Sequence, residues 1–436
     1  EKGDALSQTL RIGVAGLGTV GAGTLELLQT HYEMVAQRCG RPLLVTAVSA
    51  RDRHKDRGID LSGVRWFEDP TALARDPEVD VLLELIGGAE GVARETVATA
   101  LDSGKHVITA NKALIAHHGT DLARRAEAAG VALACEAAVC GGIPVIKTLR
   151  EGLAGNAFDS VYGILNGTSN FILSEMRASG REFGEVLDEA QRLGYAEADP
   201  AFDVDGIDAA HKLAILTALA YNCAVDYEAV HVEGLREITA VDVAFAEELG
   251  YRIKLLGIAR RSDGGVAQRV HPCMVRREAP IANVEGVNNA VVVESDFAGT
   301  TVLEGAGAGA GPTASAVVAD LVDIARGARL STFAVPASAL DRLVSRPMAE
   351  HWGGYYLRLM CRDKPGVIAD ITAILRDDAI SVESMVQRGR GPAGEAVPIV
   401  ITTHETTEAR MRRALARIAD LEAVLERPRL IRVEPL

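Results

Sequence analysis

The sequence predicts an α/β protein with a doubly wound parallel sheet first, an α+β unit second and a C-terminal βαββαβ unit in ferredoxin-like order. Three observations carry this. A short apolar strand runs into G-x-G-x-x-G and then a helix near the start of the chain. Apolar runs and helical stretches alternate from there to about residue 146, the pattern of a parallel sheet. After Trp352 the order is strand, helix, strand, strand, helix, strand. At 436 residues, with 48% hydrophobic and 24% charged residues, the chain is long enough for several domains and has a globular balance.

In the first unit, residues 1–145, LRIGVA (10–15) reads as a strand and GLGTVG follows it. Gly16 permits a tight turn, Gly18 lets the backbone approach a pyrophosphate, and Gly21 lets helix and strand pack closely. With Leu17, Thr19 and Val20 they form a Rossmann-like cofactor loop, and residues 24–39 read as one long helix. A second strand, 43–50, ends at Arg51-Asp52. An acid there would hold a ribose hydroxyl and an arginine a 2′-phosphate. Asp52 is a possible ribose ligand, but Arg51 precedes it and further bases follow, so NADP is expected over NAD, with NAD possible. Strand 79–88, helix 93–104, strand 105–109 turning at 110–112, helix 121–130 and a last strand from 131 complete the unit. Ligands bind at the carboxyl ends of such strands, where Lys112 and Glu136 lie; each could also be a plain surface charge.

The second unit, 146–330, runs from an apolar strand into Asn166-Gly167-Thr168-Ser169-Asn170 and a helix. Small polar residues there cap a helix, and Gly167 and Thr168 could cradle a polar substrate. GYAEADPAFDVDGIDAAHK (194–212) follows, with Glu197, Asp199, Asp203, Asp205 and Asp208 ahead of Lys212. Asp208 and Lys212 are spaced i,i+4, one face of a helix. The run could be a solvated acidic loop; beside a cofactor domain it reads as a carboxylate–lysine site. Runs at 231–235, 265–275 and 289–305 suggest an antiparallel sheet. The second glycine loop, 305–311, includes Gly307 and Gly309; it precedes a helix and is expected to turn near the cofactor, with 305–345 returning toward the first unit. Residues 346–352 read as a linker to the third unit, 353–436.

Net charge is −14, carried almost wholly before residue 346. No basic stripe points to nucleic acid and no apolar run reaches membrane-spanning length. The six cysteines show no C-x-x-C and no metal spacing, which fits reduced thiols in a cytoplasmic protein.

GLGTVG, ELIGG, TANKALIA, EAAVCGGIP, GILNGTSNFIL, GYAEADP, DVDGIDAAHK and GAGAGAGPTASAV occur in the order found in homoserine dehydrogenases of the long type with a C-terminal ACT domain, and the chain resembles that family nearly end to end. Cys135 and Cys140 depart from it without touching a catalytic position. The resemblance implies reversible NAD(P)-linked interconversion of L-aspartate 4-semialdehyde and L-homoserine, on the way to threonine, methionine and isoleucine. It implies that Lys212 gives the proton to the aldehyde oxygen and that Lys112 lies against nicotinamide and substrate. Glu197 and Asp208 would grip the substrate ammonium or orient the lysine, with Asp203 in the same cluster. It further implies a sodium ion at Glu136, Val139, Gly141 and Ile143, a homodimer or homotetramer, and an amino-acid effector, threonine, at the ACT unit. Whether Lys212 acts directly or through water stays open. Two alternatives remain: an aspartate-semialdehyde dehydrogenase, which needs a cysteine nucleophile, and a non-catalytic amino-acid sensor.

Overall fold

The computed structural model describes residues 8–262, 264–388 and 396–436. Strands β1 (Leu10–Ala15), β2 (Leu43–Ser49), β3 (Arg65–Phe67), β4 (Val81–Glu84), β5 (His106–Thr109) and β6 (Leu133–Ala134) form one sheet in the order β3-β2-β1-β4-β5-β6. Every neighbouring pair is parallel. Strand order reverses between β1 and β4, so the crevice at their carboxyl ends is where a ligand fits. Two helices differ from expectation. The helix after the glycine loop is broken at His31 (φ −113°, ψ 24°) into Thr19–Thr30 and Tyr32–Cys39. Conversely, Lys112–Ala129 is one helix that runs through Gly119. A Cβ on Gly119 would meet the Phe333 ring at 2.9 Å, so this glycine serves tertiary packing instead of marking a turn.

The second sheet holds ten strands: β7 (Phe158–Ile164), β8 (His231–Val232), β9 (Tyr251–Ser262), β10 (Gly265–Arg276), β11 (Asn288–Ser295), β12 (Gly299–Ala306), β13 (Trp352–Arg362), β14 (Val382–Gln387), β15 (Ala396–Thr407) and β16 (Arg429–Val433). Its path is β12-β11-β7-β9-β10-β16-β13-β15-β14, with β8 beside β10. β9 is not among the strands expected from sequence: Tyr251 to Leu255 alternate, but Lys254, which reads as solvent-facing, lies on a covered face. That lysine is buried and donates to Val284 O at 2.5 Å and Asn170 Oδ1 at 3.1 Å.

Helix Ile207–Tyr221 packs between helix Lys112–Ala129 and strands β7, β9 and β10. It is buried on all sides, as a helix without a polar face must be. Its buried polar side chains include Thr217, which bonds within the helix, and Asp208, His211 and Lys212, a titratable group needing partners. Helix Ala310–Ala325 crosses back onto the first sheet, where Val317, Leu321 and Ile324 share a core with Ile12, Val14 and Leu25.

Strands β16-β13-β15-β14 form the antiparallel sheet of the βαββαβ unit, backed by helices Val367–Asp377 and Glu408–Ala419. This unit is not an appendage on a loose linker. β16 pairs in parallel with β10 (Cys273↔Arg432, Met274↔Val433), making one continuous sheet. Segment 346–352 is tied down as well, since Arg346 N donates to Val266 O at 3.0 Å and Met348–Glu350 forms a turn. Ion pairs cross the seam: Arg358–Asp242 at 2.7 Å and Arg269–Glu434 at 3.0 Å are buried, and Arg432–Glu233 at 2.8 Å is partly covered. Among the described residues, no helix is long and apolar enough to cross a membrane.

Candidate active site

Asp208 is the hub. Its Oδ2 accepts from Lys212 Nζ at 2.7 Å, and its Oδ1 faces Lys112 Nζ at 2.5 Å. Lys112 begins the helix that starts at the end of β5, and Lys212 lies one turn beyond Asp208. A lysine from the first unit and a lysine from the second thus meet on one carboxylate. Burial disfavours the Asp208 anion, but Lys212 and Lys112 more than reverse this and hold it well below the usual carboxylate range. Burial likewise works against the Lys212 ammonium, and Asp208 outweighs it, so the lysine stays charged with its pKa raised. Lys212 Nζ also donates to Leu165 O at 2.7 Å. An ammonium has three donors, so one remains for a substrate oxygen.

Asn166 caps helix Gly167–Ser179, its Oδ1 accepting from Ser169 N at 2.8 Å. Its amide donates to Asp208 Oδ2 at 2.9 Å and to Asp203 Oδ1 at 2.8 Å. Burial raises the Asp203 pKa, with Asn166 opposing. Thr168 Oγ1 donates to Tyr195 O at 2.6 Å, which ties the acidic loop to the cap. Gly167 has no room for a side chain: a Cβ would meet Val287 O at 2.5 Å. Glu197 lies exposed on that loop, joined through its backbone carbonyl to Gln191 Nε2 at 2.9 Å; its carboxylate is not brought into the Asp208 network.

The glycine loop sits at the carboxyl ends of β1 and β4. Gly16 (φ +101°) lies so close to Leu85 O that a Cβ would meet it at 2.5 Å, and a Cβ on Gly21 would meet Gly16 O at 2.1 Å. A Cβ on Gly18 meets nothing within 4 Å, so there the backbone faces open space at the start of helix Thr19–Thr30, which has no side-chain cap. Open amides at a helix start suit a pyrophosphate. The second glycine loop closes over the corner after β6: Gly142 N donates to Ala306 O at 3.0 Å, and a Cβ on Gly141 would meet Gly307 O at 2.6 Å. Gly309 (φ +110°) starts helix Ala310–Ala325, and Ala310 packs on Gly23 of the first helix. Arg51 is exposed at the end of β2. The Asp52 carboxylate is engaged by the amides of His54 and Lys55, at 2.8 and 3.2 Å.

A homoserine dehydrogenase family model matches residues 144–322, a homoserine dehydrogenase NAD-binding domain model matches 16–136, and an ACT domain model matches 355–423. A homoserine dehydrogenase of Pseudomonas aeruginosa is 46% identical, the match covering 98% of this chain and 99% of that protein. The chain belongs to the homoserine dehydrogenase family. A solved homoserine dehydrogenase from Thiobacillus denitrificans matches with a TM-score of 0.92 and 48% identity over 98% of this chain and 99% of that one. A hyperthermophilic archaeal homoserine dehydrogenase in complex with NADPH matches at a TM-score of 0.62 and 27% identity, covering 72% of this chain and 97% of that one. This is a family of NAD(P)-dependent oxidoreductases acting on a CH–OH group, and the ACT domain completes the expected order of domains.

Within this family member the cysteines carry no nucleophile. All six are buried and free. Burial, then Asp320, pushes the Cys135 thiol up to about 12, and burial raises Cys140 although Lys212 is near. Buried thiols held in the protonated form argue against the cysteine-dependent alternative, since the thiolate is the reactive form. At the corner after β6, Glu136 is buried, its oxygens accepting from Ile146 N at 3.0 Å and Lys147 N at 2.8 Å. Burial and the neighbouring Asp320 push it up to about 7. Cys140 (φ 55°) and Gly141 (φ 46°) turn the chain left-handed between Val139 and Ile143.

Several contributors were not singled out from sequence. The sequence marks Asn166 as a cap but not as the bridge between Asp203 and Asp208. Arg57 holds the loop after β2 against the glycine loop, donating to Leu17 O at 3.0 Å and Asp52 O at 2.7 Å. Glu84 is buried at the end of β4 and accepts from Thr109 Oγ1 at 2.6 Å and Ile86 N at 2.8 Å; an acid ending an apolar strand was the available signal. His211 Nε2 lies 3.2 Å from His117 Nε2, and burial lowers its pKa to about 4, so it is neutral beside the lysines.

Proposed function

We propose that this chain catalyses reversible NADPH-linked reduction of L-aspartate 4-semialdehyde to L-homoserine, with NADP preferred over NAD. The observation that carries it is the Lys112–Asp208–Lys212 triplet, with Lys112 at the carboxyl end of β5 in the same parallel sheet whose β1 runs into the glycine loop. When bound, the nicotinamide would supply or accept the hydride. Lys212 offers its remaining N–H to the aldehyde oxygen, stabilises the charge that develops there and donates the proton. Asp208 has both oxygens engaged, which favours a positioning role over gripping the substrate ammonium. Lys112 lies between cofactor crevice and substrate. Asp203 and Glu197 are the carboxylates left for the substrate ammonium, with Gly167 and Thr168 lining the polar cradle. Glu197 would have to swing in from its exposed position.

Gly16 to Gly21, with Gly307 and Gly309, would hold the dinucleotide, and Arg51 its 2′-phosphate. Engagement of Asp52 by its own loop supports the arginine over the acid. The corner at Glu136, Val139, Gly141 and Ile143 suits sodium: it offers oxygen donors and a buried carboxylate beside a second acid, which a hard cation offsets. We further read the ACT domain as an amino-acid-responsive unit, threonine being the expected effector, in a homodimer or homotetramer. Since β16 is already paired with β10, self-pairing of ACT domains along a sheet edge would use the β14 side.

The test is a spectrophotometric assay with L-homoserine and each cofactor, with and without L-threonine. Cofactor reduction that requires L-homoserine is expected. Its absence with both cofactors refutes the reading.

A further inference from the structure

A cleft of about 560 Å³ lies between the ACT domain and the substrate loop, apart from the Asp208 centre. Ligand sites commonly span about 300–1,000 Å³. One wall is helix Glu408–Ala419, through Arg412, Leu415 and Ala416, together with the segment 427–430 that leads into β16. The other wall is loop 233–238 of the catalytic domain, with Asp205 alongside.

The charges in this cleft are not balanced. Arg412 is held by Glu408 at 2.8 Å and Glu233 at 3.0 Å, Arg236 by Asp205 at 2.6 Å, and Arg429 Nη1 by Glu237. Arg429 Nε is buried without a hydrogen-bond partner. Arg427 is exposed and has no carboxylate partner among the described residues. Two neighbouring guanidinium groups with donors to spare recognise a carboxylate. The acids of the same lining are Glu237, paired with Arg429, and Asp205, paired with Arg236, and Ile238, Leu415 and Leu430 add aliphatic surface. That is complementarity to a zwitterion with an apolar side chain.

The cleft is wired to the active site. Leu235 N donates to Val204 O at 2.8 Å, and Gly234 packs so tightly that a Cβ would meet Val204 O at 2.5 Å and Asp205 Cα at 2.6 Å. Asp205 is the turn between helix Ala201–Val204, which carries Asp203, and helix Ile207–Tyr221, which carries Asp208 and Lys212. A ligand that shifts the Arg236–Asp205 pair therefore acts two residues from Asp203 and three from Asp208.

We propose that this cleft is an effector site within a single chain for a small aliphatic α-amino acid, whose carboxylate binds Arg427 and Arg429 and whose ammonium faces Glu237 and Asp205, and that it acts on catalysis through the Arg236–Asp205 pair. The proposal rests on the ACT domain being amino-acid-responsive. It places the ligand in the seam of one chain, whereas an interface between two ACT units would place it near the Asp363-Lys364-Pro365-Gly366 turn ahead of helix Val367–Asp377.

Calorimetry on the full chain, with L-threonine, L-valine, L-isoleucine and L-methionine beside the matching amines and hydroxy acids, tests this. Ala416→Trp fills the cleft from an exposed helix position, and Arg427→Gln removes a carboxylate donor. Both are expected to weaken the amino acid by about tenfold or more, the value of a charge-assisted hydrogen bond. Turnover without ligand should stay unchanged, and the ligand's effect on homoserine oxidation should be lost. Wild-type affinity in both variants, with binding lost in Asp363→Ala at the turn, overturns the cleft and leaves the effector reading intact. Amines that bind as well as their parent acids overturn the carboxylate contact. No binding of any of these amino acids to the full chain overturns both readings.

Discussion

Replacing Lys212 with alanine removes the ammonium that donates to Leu165 O and Asp208 Oδ2, both at 2.7 Å. General acid catalysis is typically worth about 10²–10⁴ in rate, or about 3–5 kcal/mol at 1.36 kcal/mol per tenfold. Turnover in both directions should fall by that order. Lys112 still faces Asp208 at 2.5 Å, so the buried carboxylate keeps one partner and the chain should remain folded. Cofactor affinity should barely move, because Lys212 sits on helix Ile207–Tyr221 and not on either glycine loop. Lys212→Arg separates charge from proton transfer: a guanidinium keeps the cation but does not release its proton, so substrate binding should recover and turnover should not. The pH profile gives an independent check. In homoserine oxidation the lysine must be neutral to take the proton, and Asp208 holds its pKa up against burial. Oxidation should therefore climb with pH through the alkaline range. Asp208→Asn removes the raising charge, burial then prevails, and the alkaline limb should move to lower pH. Steady-state absorbance assays and NADPH fluorescence titrations measure all of this. Near-normal turnover in Lys212→Ala with intact NADPH binding would refute the assignment.

Four further outcomes are expected. Arg51→Ala should weaken NADP far more than NAD, because only NADP carries a 2′-phosphate for the guanidinium; equal losses in the two titrations would make Arg51 structural. Gly21→Ala places a Cβ 2.1 Å from Gly16 O, against backbone that cannot yield, so cofactor binding and melting temperature should both drop, as calorimetry would report. Exchanging sodium for choline should lower the melting temperature of the wild type and leave Glu136→Gln unmoved, if the corner after β6 holds sodium. Truncation after Pro347 should destabilise the catalytic domain and not simply release it from control. It strips β16 from β10 and leaves the buried Asp242 without Arg358 and the buried Arg269 without Glu434, and breaking a buried pair costs about 3–5 kcal/mol; a truncated chain with unchanged melting temperature would contradict the continuous sheet.

Local rules made much of this protein legible before any fold was known. The glycine spacing at 16, 18 and 21 is a backbone requirement and needs no tertiary context, and β1 falls where the apolar run ends in that loop. Alternating periods of strand and helix gave the parallel sheet, and the i,i+4 spacing put Asp208 beside Lys212. Tertiary structure decided what local pattern could not. Five acids between residues 197 and 208 look alike in sequence, yet turns send them to different environments. Asp208 is buried between lysines from two domains, Asp203 meets Asn166, Asp205 faces Arg236 near the ACT seam, and Glu197 stays exposed. Gly119 resembles a helix stop until Phe333 arrives from more than two hundred residues away. The union of two sheets through β10 and β16 is equally invisible along the chain, because edge pairing is chosen by which buried charges and apolar faces meet after packing, not by the strand's own residues.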